Sequence, residues 1–132
     1  MTRRPPERFF RKFILYWLPV LAYITVIIFL SAQPNLQPPI RFPNADKVYH
    51  LIEYLGLGVL LARAWRATGR MRRPLSAALV AISCGVVVGT SDEYFQSFIP
   101  GRQSSAFDLL ADAAGLALAQ FAYLRAFAAD RS

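Results

Sequence analysis

The chain has 132 residues, of which 55% are hydrophobic, and a formal net charge of +7. That length allows one domain. The apolar residues fall into long runs without strand alternation, which excludes an open sheet in lipid. The cations flank those runs, which argues against a nucleic-acid surface.

A membrane span needs about 20 mostly apolar residues. Residues 1–12 (MTRRPPERFFRK) form a basic, aromatic arm suited to an anionic inner leaflet. Phe13–Ser31 follows, uncharged and 19 residues long, which is too long for the core of a cleaved signal peptide. It reads as a retained first span, with Tyr16 and Trp17 at an aromatic belt and Pro19 at a kink. The next loop holds Pro34, Pro38, Pro39 and Pro43. It is expected to run extended across the mouth of the bundle. Asp46 is the expected cap of a second span, Val48–Trp65, which carries His50, Glu53 and Arg63. After the turn RATGRMRR, Pro74 opens an uncharged third span, Leu75–Ser91. The breaker Pro100-Gly101 precedes a fourth span, Ala106–Phe127, with Ser104 or Ser105 as its cap and Asp108 and Asp112 in its first turns. Spans three and four are rich in Gly and Ala, which permit close helix contact. Cys84, the single cysteine, falls mid-span and reads as packing.

The expected fold is thus all-α, a bundle of four transmembrane helices. Its domains are a basic cytoplasmic arm (1–12), one four-helix membrane domain (13–127) and a cytoplasmic tail (128–132). Of the 15 Lys and Arg residues, 12 lie in the arm, in the turn between spans two and three, or at the C-terminal end. Only Arg41, Lys47 and Arg102 fall to the other side, so both termini are expected in the cytoplasm of an inner-membrane protein.

The acids gather at the opposite, outer end. Asp46, His50 and Glu53 are spaced i, i+4, i+7 on one helix face, with Tyr54 and Lys47 beside them. Asp92, Glu93 and Gln96 end span three, and Asp108 and Asp112 open span four. Ionisable groups within a membrane are costly and mark binding or proton-transfer sites. Three readings follow. In the first, Arg102, beside Ser104, Ser105 and the N-terminus of span four, hooks an anionic headgroup at the outer leaflet. In the second, His50 with a carboxylate among Glu53, Asp92, Glu93 and Asp108 transfers protons, or Asp92, Glu93 and Asp108 hold a divalent cation that acts on a phosphoester. No cofactor is required by the pattern. In the third, the cluster only fixes helices against each other or against partner helices.

The run DKVYHLIEYLGLGVLLARA, followed by SDEYFQSFIPGRQSSAFDLLADAAG, resembles the VanZ-like family of small bacterial membrane proteins. The matching positions are Asp46, Lys47, His50 and Tyr54, then Asp92, Glu93, Gln96, Phe98, Pro100, Gly101, Arg102, Ser105, Asp108, Asp112 and Gly115; LSAQP at the end of span one also fits. The family pattern takes Asn or Asp where Asp112 stands. The resemblance implies a cell-envelope role and a link to teicoplanin-type glycopeptide resistance. The candidate ligand-binding set is Asp46, Lys47, His50, Tyr54, Asp92, Glu93, Gln96, Arg102, Ser105, Asp108 and Asp112. The expected partners are membrane lipid, a lipid-linked cell-wall precursor, and a second copy or partner helices, with no nucleic acid.

Overall fold

A computed structural model of the chain describes residues 5–35, 39–69 and 73–129. Among the described residues every regular element is a helix: α1 (Pro5–Lys12), a π-helical stretch (Phe13–Trp17), α2 (Leu18–Ser31), α3 (Ala45–Thr68), α4 (Pro74–Gln96) and α5 (Ala106–Ala129). Residues 5–12 of the basic arm are helical and run on into the first apolar run. Proline accounts for the π stretch. Pro19 lacks an amide hydrogen and crowds the preceding turn. The ladder widens just before it, with the Leu18 N–H reaching the Phe13 carbonyl five residues back.

Helix ends follow the breakers in the sequence. Asn44 and Gly69 flank α3, both with left-handed φ (61° and 66°). Asp46 is thus a first-turn acid, and the cap position belongs to Asn44. Pro74 opens α4 at its favoured position, and Gly101, with φ of 79°, makes the turn before α5. The Ser105 hydroxyl accepts the Phe107 N–H at 3.2 Å, capping α5. The described part of the proline loop bends and turns where an extended crossing was expected, and its Ile40 N–H donates to the Tyr49 hydroxyl at 3.2 Å. Leu36–Pro38 lie outside the described residues.

Helix α3 sits at the centre and packs most heavily on α5. The two run parallel. A methyl group at Gly115 would collide with the Leu51 carbonyl and lie 2.8 Å from the Leu55 nitrogen, while one at Gly58 would lie 2.7 Å from the Ala119 methyl. Gln120 donates to the Gly58 carbonyl at 2.8 Å. Helix α4 is antiparallel to both, with Gly85 against Leu116 and Gly89 against Asp112. Val20, Ile27, Tyr54, Leu57, Leu61, Ala64, Ala81 and Leu116 form the core, and Cys84 packs against it. Trp17 meets Trp65 edge-on at 5.0 Å between ring centres.

Three helices are long and apolar enough to cross a membrane: Glu7–Ser31, Pro74–Gln96 and Ala106–Ala126. Helix α3 has the length, at 24 residues, but is not among them. His50, Glu53 and Arg63 interrupt its apolar run. Large apolar side chains on the other helices, such as Phe29, Leu75, Val87 and Phe121, point outward and are exposed, as lipid-facing positions are.

Candidate functional site

The end of α2, the start of α3, the end of α4 and the start of α5 meet at one end of the bundle. The i, i+4, i+7 stripe on α3 faces inward there, so that end collects the polar groups the sequence singles out. Glu93 and Gln96 on α4 are buried, as is Asp92 at 2% exposure; Asp108 and Asp112 on α5 are also buried, Asp112 at only 1%. Asp112 stands six positions after Ala106, which places that residue about 9 Å along the helix at 1.5 Å per residue.

These groups are held in three sets. The Ser31 hydroxyl donates to Asp92 Oδ2 at 2.6 Å, and Gln96 Nε2 donates to the same oxygen at 3.0 Å and to Ser31 at 3.1 Å. The second set is ionic: Lys47 Nζ lies 2.7 Å from Asp46 Oδ2 and 3.1 Å from Asp108 Oδ1, tying α3 to α5. The hydrogen bond from Lys47 holds the Asp46 carboxyl below the usual range, and the bonds to Asp46 and Asp108 raise the Lys47 ammonium. In the third set, His50 Nδ1 lies 2.9 Å from Asp112 Oδ1, and Glu93 Oε2 accepts the Ser105 N–H at 2.9 Å, anchoring the N-terminus of α5. The structure thus brings the expected residues together, although Asp46, half exposed, stands at the rim.

Several buried oxygens are left over. Asp92 Oδ1, Glu93 Oε1, Asp112 Oδ2 and the Tyr54 hydroxyl have no hydrogen-bond partner among the described residues. Buried polar atoms are usually paired, so each unpaired one asks for an explanation. Donor atoms of His50, Glu93 and Asp112 all lie within 4.8 Å of one another. Of the possible cation set in the sequence (Asp92, Glu93, Asp108), only Glu93 belongs to that group. Asp92 is engaged by Ser31 and Gln96, and Asp108 by Lys47.

Beside these groups opens a cleft of about 420 Å³. Leu30, Ile52 and Pro39 supply apolar walls, and Ser31, Asp46, Tyr49, His50, Glu53, Gln96 and Arg102 supply the polar ones. Arg102 reaches it from the Pro-Gly turn, which is pinned by Asn35 seated against Gly101. No salt bridge joins Arg102 to Asp92 or Asp108. Arg102 has no ion-pair partner among the described residues, and Arg41, exposed, is not among the residues that line the cleft.

Sequence reasoning missed Ser31, Tyr49 and Leu30 as members of this site. For Ser31 a signal existed, since it belongs to the LSAQP run that fits the family pattern.

The model of the VanZ/LLP1 family matches residues 5–127. The chain is also similar to an uncharacterised protein of Schizosaccharomyces pombe, C11E3.10, with 31% identity over 100 residues. That match covers 76% of this chain and 59% of the relative, so the chain spans little more than half of the curated relative's length. No solved structure gives a significant match.

Proposed function

The chain belongs to the VanZ/LLP1 family, and on that premise we propose a four-span membrane protein whose cleft binds the anionic headgroup of a lipid or lipid-linked precursor at the outer leaflet. The observation that carries this reading is Arg102. It lines a half-apolar cleft and has no ion-pair partner among the described residues. A guanidinium that feels Glu53 and Asp92 but is joined to neither by a direct ion pair, beside apolar walls, suits a phosphate attached to a chain, because the fork grips oxygens while the walls accept hydrocarbon.

Four spans are supported by the enclosure of α3, whose buried face carries Tyr54, Leu57, Gly58, Leu61, Ala62 and Ala64. The other helices present the lipid-facing surface and let a less apolar helix cross. The charge asymmetry favours cytoplasmic termini and an outward cleft, in a bacterial cell membrane. A similar fission yeast chain favours a ligand class shared by bacterial and eukaryotic membranes over one confined to a bacterial wall. A link to teicoplanin-type resistance rests on family resemblance alone.

The test is binding of dioctanoyl phosphatidylglycerol and farnesyl phosphate to the purified protein in phosphatidylcholine nanodiscs. Wild type binds and Arg102→Ala, still folded, does not; equal binding by both overturns the reading.

A second reading, hydrolysis or transfer on a phosphoester-linked lipid, is favoured by the His50–Asp112 contact. A buried carboxylate 2.9 Å from an imidazole is the arrangement that orients a general base. Phosphate release from farnesyl phosphate, lost in folded His50→Ala, supports it. Wild type without release excludes it for that substrate. If every cluster variant merely fails to accumulate, the residues serve helix packing alone.

A further inference from the structure

Neither anion binding at Arg102 nor the hydrogen bonds around Asp92 explains the geometry one layer deeper. There an imidazole and two carboxylates, each from a different helix, bring donor atoms within 4.8 Å of one another. Two of the three residues are buried, and each of those two keeps one oxygen without a partner among the described residues, Glu93 Oε1 and Asp112 Oδ2. Two carboxylates in so confined a space repel unless one is protonated or a positive charge sits between them, and the His50 imidazole is within ion-pair range of Asp112 but not of Glu93. Lys47 does not fill that place, because it is committed to Asp46 and Asp108. Arg102 has no ion-pair partner within 4.0 Å among the described residues, so it does not fill it either.

We propose that His50, Glu93 and Asp112 form a binding site for one divalent first-row cation of the Mn²⁺ and Zn²⁺ class. Donor spacing within 4.8 Å leaves room for an ion about 2.0–2.6 Å from each, after small side-chain adjustments. The donor set selects the class: carboxylates alone favour Mg²⁺ or Ca²⁺, whereas one imidazole moves the preference toward Zn²⁺ and Mn²⁺. Outer partners hold the ligands, as metal sites require. Glu93 is fixed by the Ser105 N–H, and Asp112 lies at Gly89, where a methyl group would come within 2.9 Å of its Oδ2. The Tyr54 ring meets the same glycine, at 3.3 Å from that methyl position, and its hydroxyl is another buried atom without a partner among the described residues. His50 lines the cleft as well, so the ion lies next to the volume proposed for the headgroup. The site does not depend on that proposal.

The test is equilibrium binding of Mn²⁺, followed by electron paramagnetic resonance, to full-length protein in nanodiscs after chelator dialysis. One Mn²⁺ per chain is expected, displaced by Zn²⁺. Glu93→Gln and Asp112→Asn keep side-chain shape and are expected to weaken binding by more than about tenfold, since losing outer partners alone costs 10–100-fold. Ser83→Ala, whose exposed hydroxyl bonds only its own helix at Leu79, leaves affinity unchanged. Arg102→Ala retains Mn²⁺ while losing farnesyl phosphate, so failure of one proposal is distinguishable from failure of the other. Absence of a stoichiometric ion in folded wild type, or full affinity in folded Glu93→Gln and Asp112→Asn, overturns the assignment. Wild type alone is decisive if the variants do not fold.

Discussion

The Ser31 hydroxyl, at the last residue of α2, donates to Asp92 Oδ2 near the end of α4, 61 residues away, at 2.6 Å. Both residues are buried, so this bond is where α2 is fastened to the rest of the polar end. Ser31→Ala removes one of the two donors that Asp92 Oδ2 receives. Interhelical bonds of this kind in membranes average about 0.6 kcal/mol and reach about 1.7. The expected loss lies within that range, because Gln96 still donates to the same buried oxygen. Thermal unfolding in detergent checks it. Ser83→Ala, whose exposed hydroxyl bonds only its own helix at Leu79, serves as the neutral control.

Arg102→Lys separates charge from shape. Lysine keeps the positive charge in the cleft but loses the fork that grips two oxygens at once. Farnesyl phosphate affinity is expected to fall by on the order of tenfold, about 1.4 kcal/mol, with Arg102→Ala losing more. Fluorescence or calorimetric titration in nanodiscs measures both. Equal affinity in the lysine variant shows that charge alone is used.

Gly115→Ala tests the closest approach of α3 and α5. The added methyl meets backbone rather than a movable side chain, at the Leu51 carbonyl and 2.8 Å from the Leu55 nitrogen. Overpacking of this type costs about 1–3 kcal/mol, and here it forces the helices apart directly beneath His50. Loss of thermal stability together with weakened Mn²⁺ binding is expected. Gly69→Ala, at a left-handed turn with open space around it, is strained without crowding. It lowers stability and leaves the metal site alone.

The Lys47 bridge sets a pH signature. Asp46 has a lowered folded-state pKa, so its contribution is present above the ordinary carboxylate value and is lost as pH falls through the lowered one. Lys47 has a raised one, so its contribution is present below the ordinary lysine value and is lost as pH rises through the raised one. The stability gap between wild type and Lys47→Met is therefore expected to be flat from about pH 5 to about pH 9 and to close at both extremes, given reference values near 4 and 10.4. Adding Asp108→Asn to Lys47→Met recovers part of the loss, because a buried carboxylate no longer lacks its cation. Melting curves across pH check both statements.

Much of the fold was legible because its punctuation is local. Pro74, Gly69 and Pro100-Gly101 stop or start helices by backbone chemistry that acts within a residue or two, and the long apolar runs between them leave little choice of structure. The stripe of Asp46, His50 and Glu53 was legible too, since helical spacing alone puts them on one face. Partner identity across helices was not. Nothing in spacing says that Asp108 takes Lys47, or that Asp92 takes Ser31, because those pairs are separated by 61 residues and fixed by how the helices dock. For the same reason the trio Asp92, Glu93 and Asp108 suggested itself in sequence, whereas geometry groups His50, Glu93 and Asp112. The π-helical stretch was half visible, as Pro19 announces a disturbance but not the form it takes.

Helix α3 carries Asp46, His50, Glu53, Arg63 and Arg66 yet lies at the middle of the bundle, wrapped by more apolar neighbours. Such a segment gains little from hydrocarbon by itself and depends for its main contact on α5, which follows it in the chain. A chain cut before Ala106 lacks that contact, so α3 is left without its seat in the bundle.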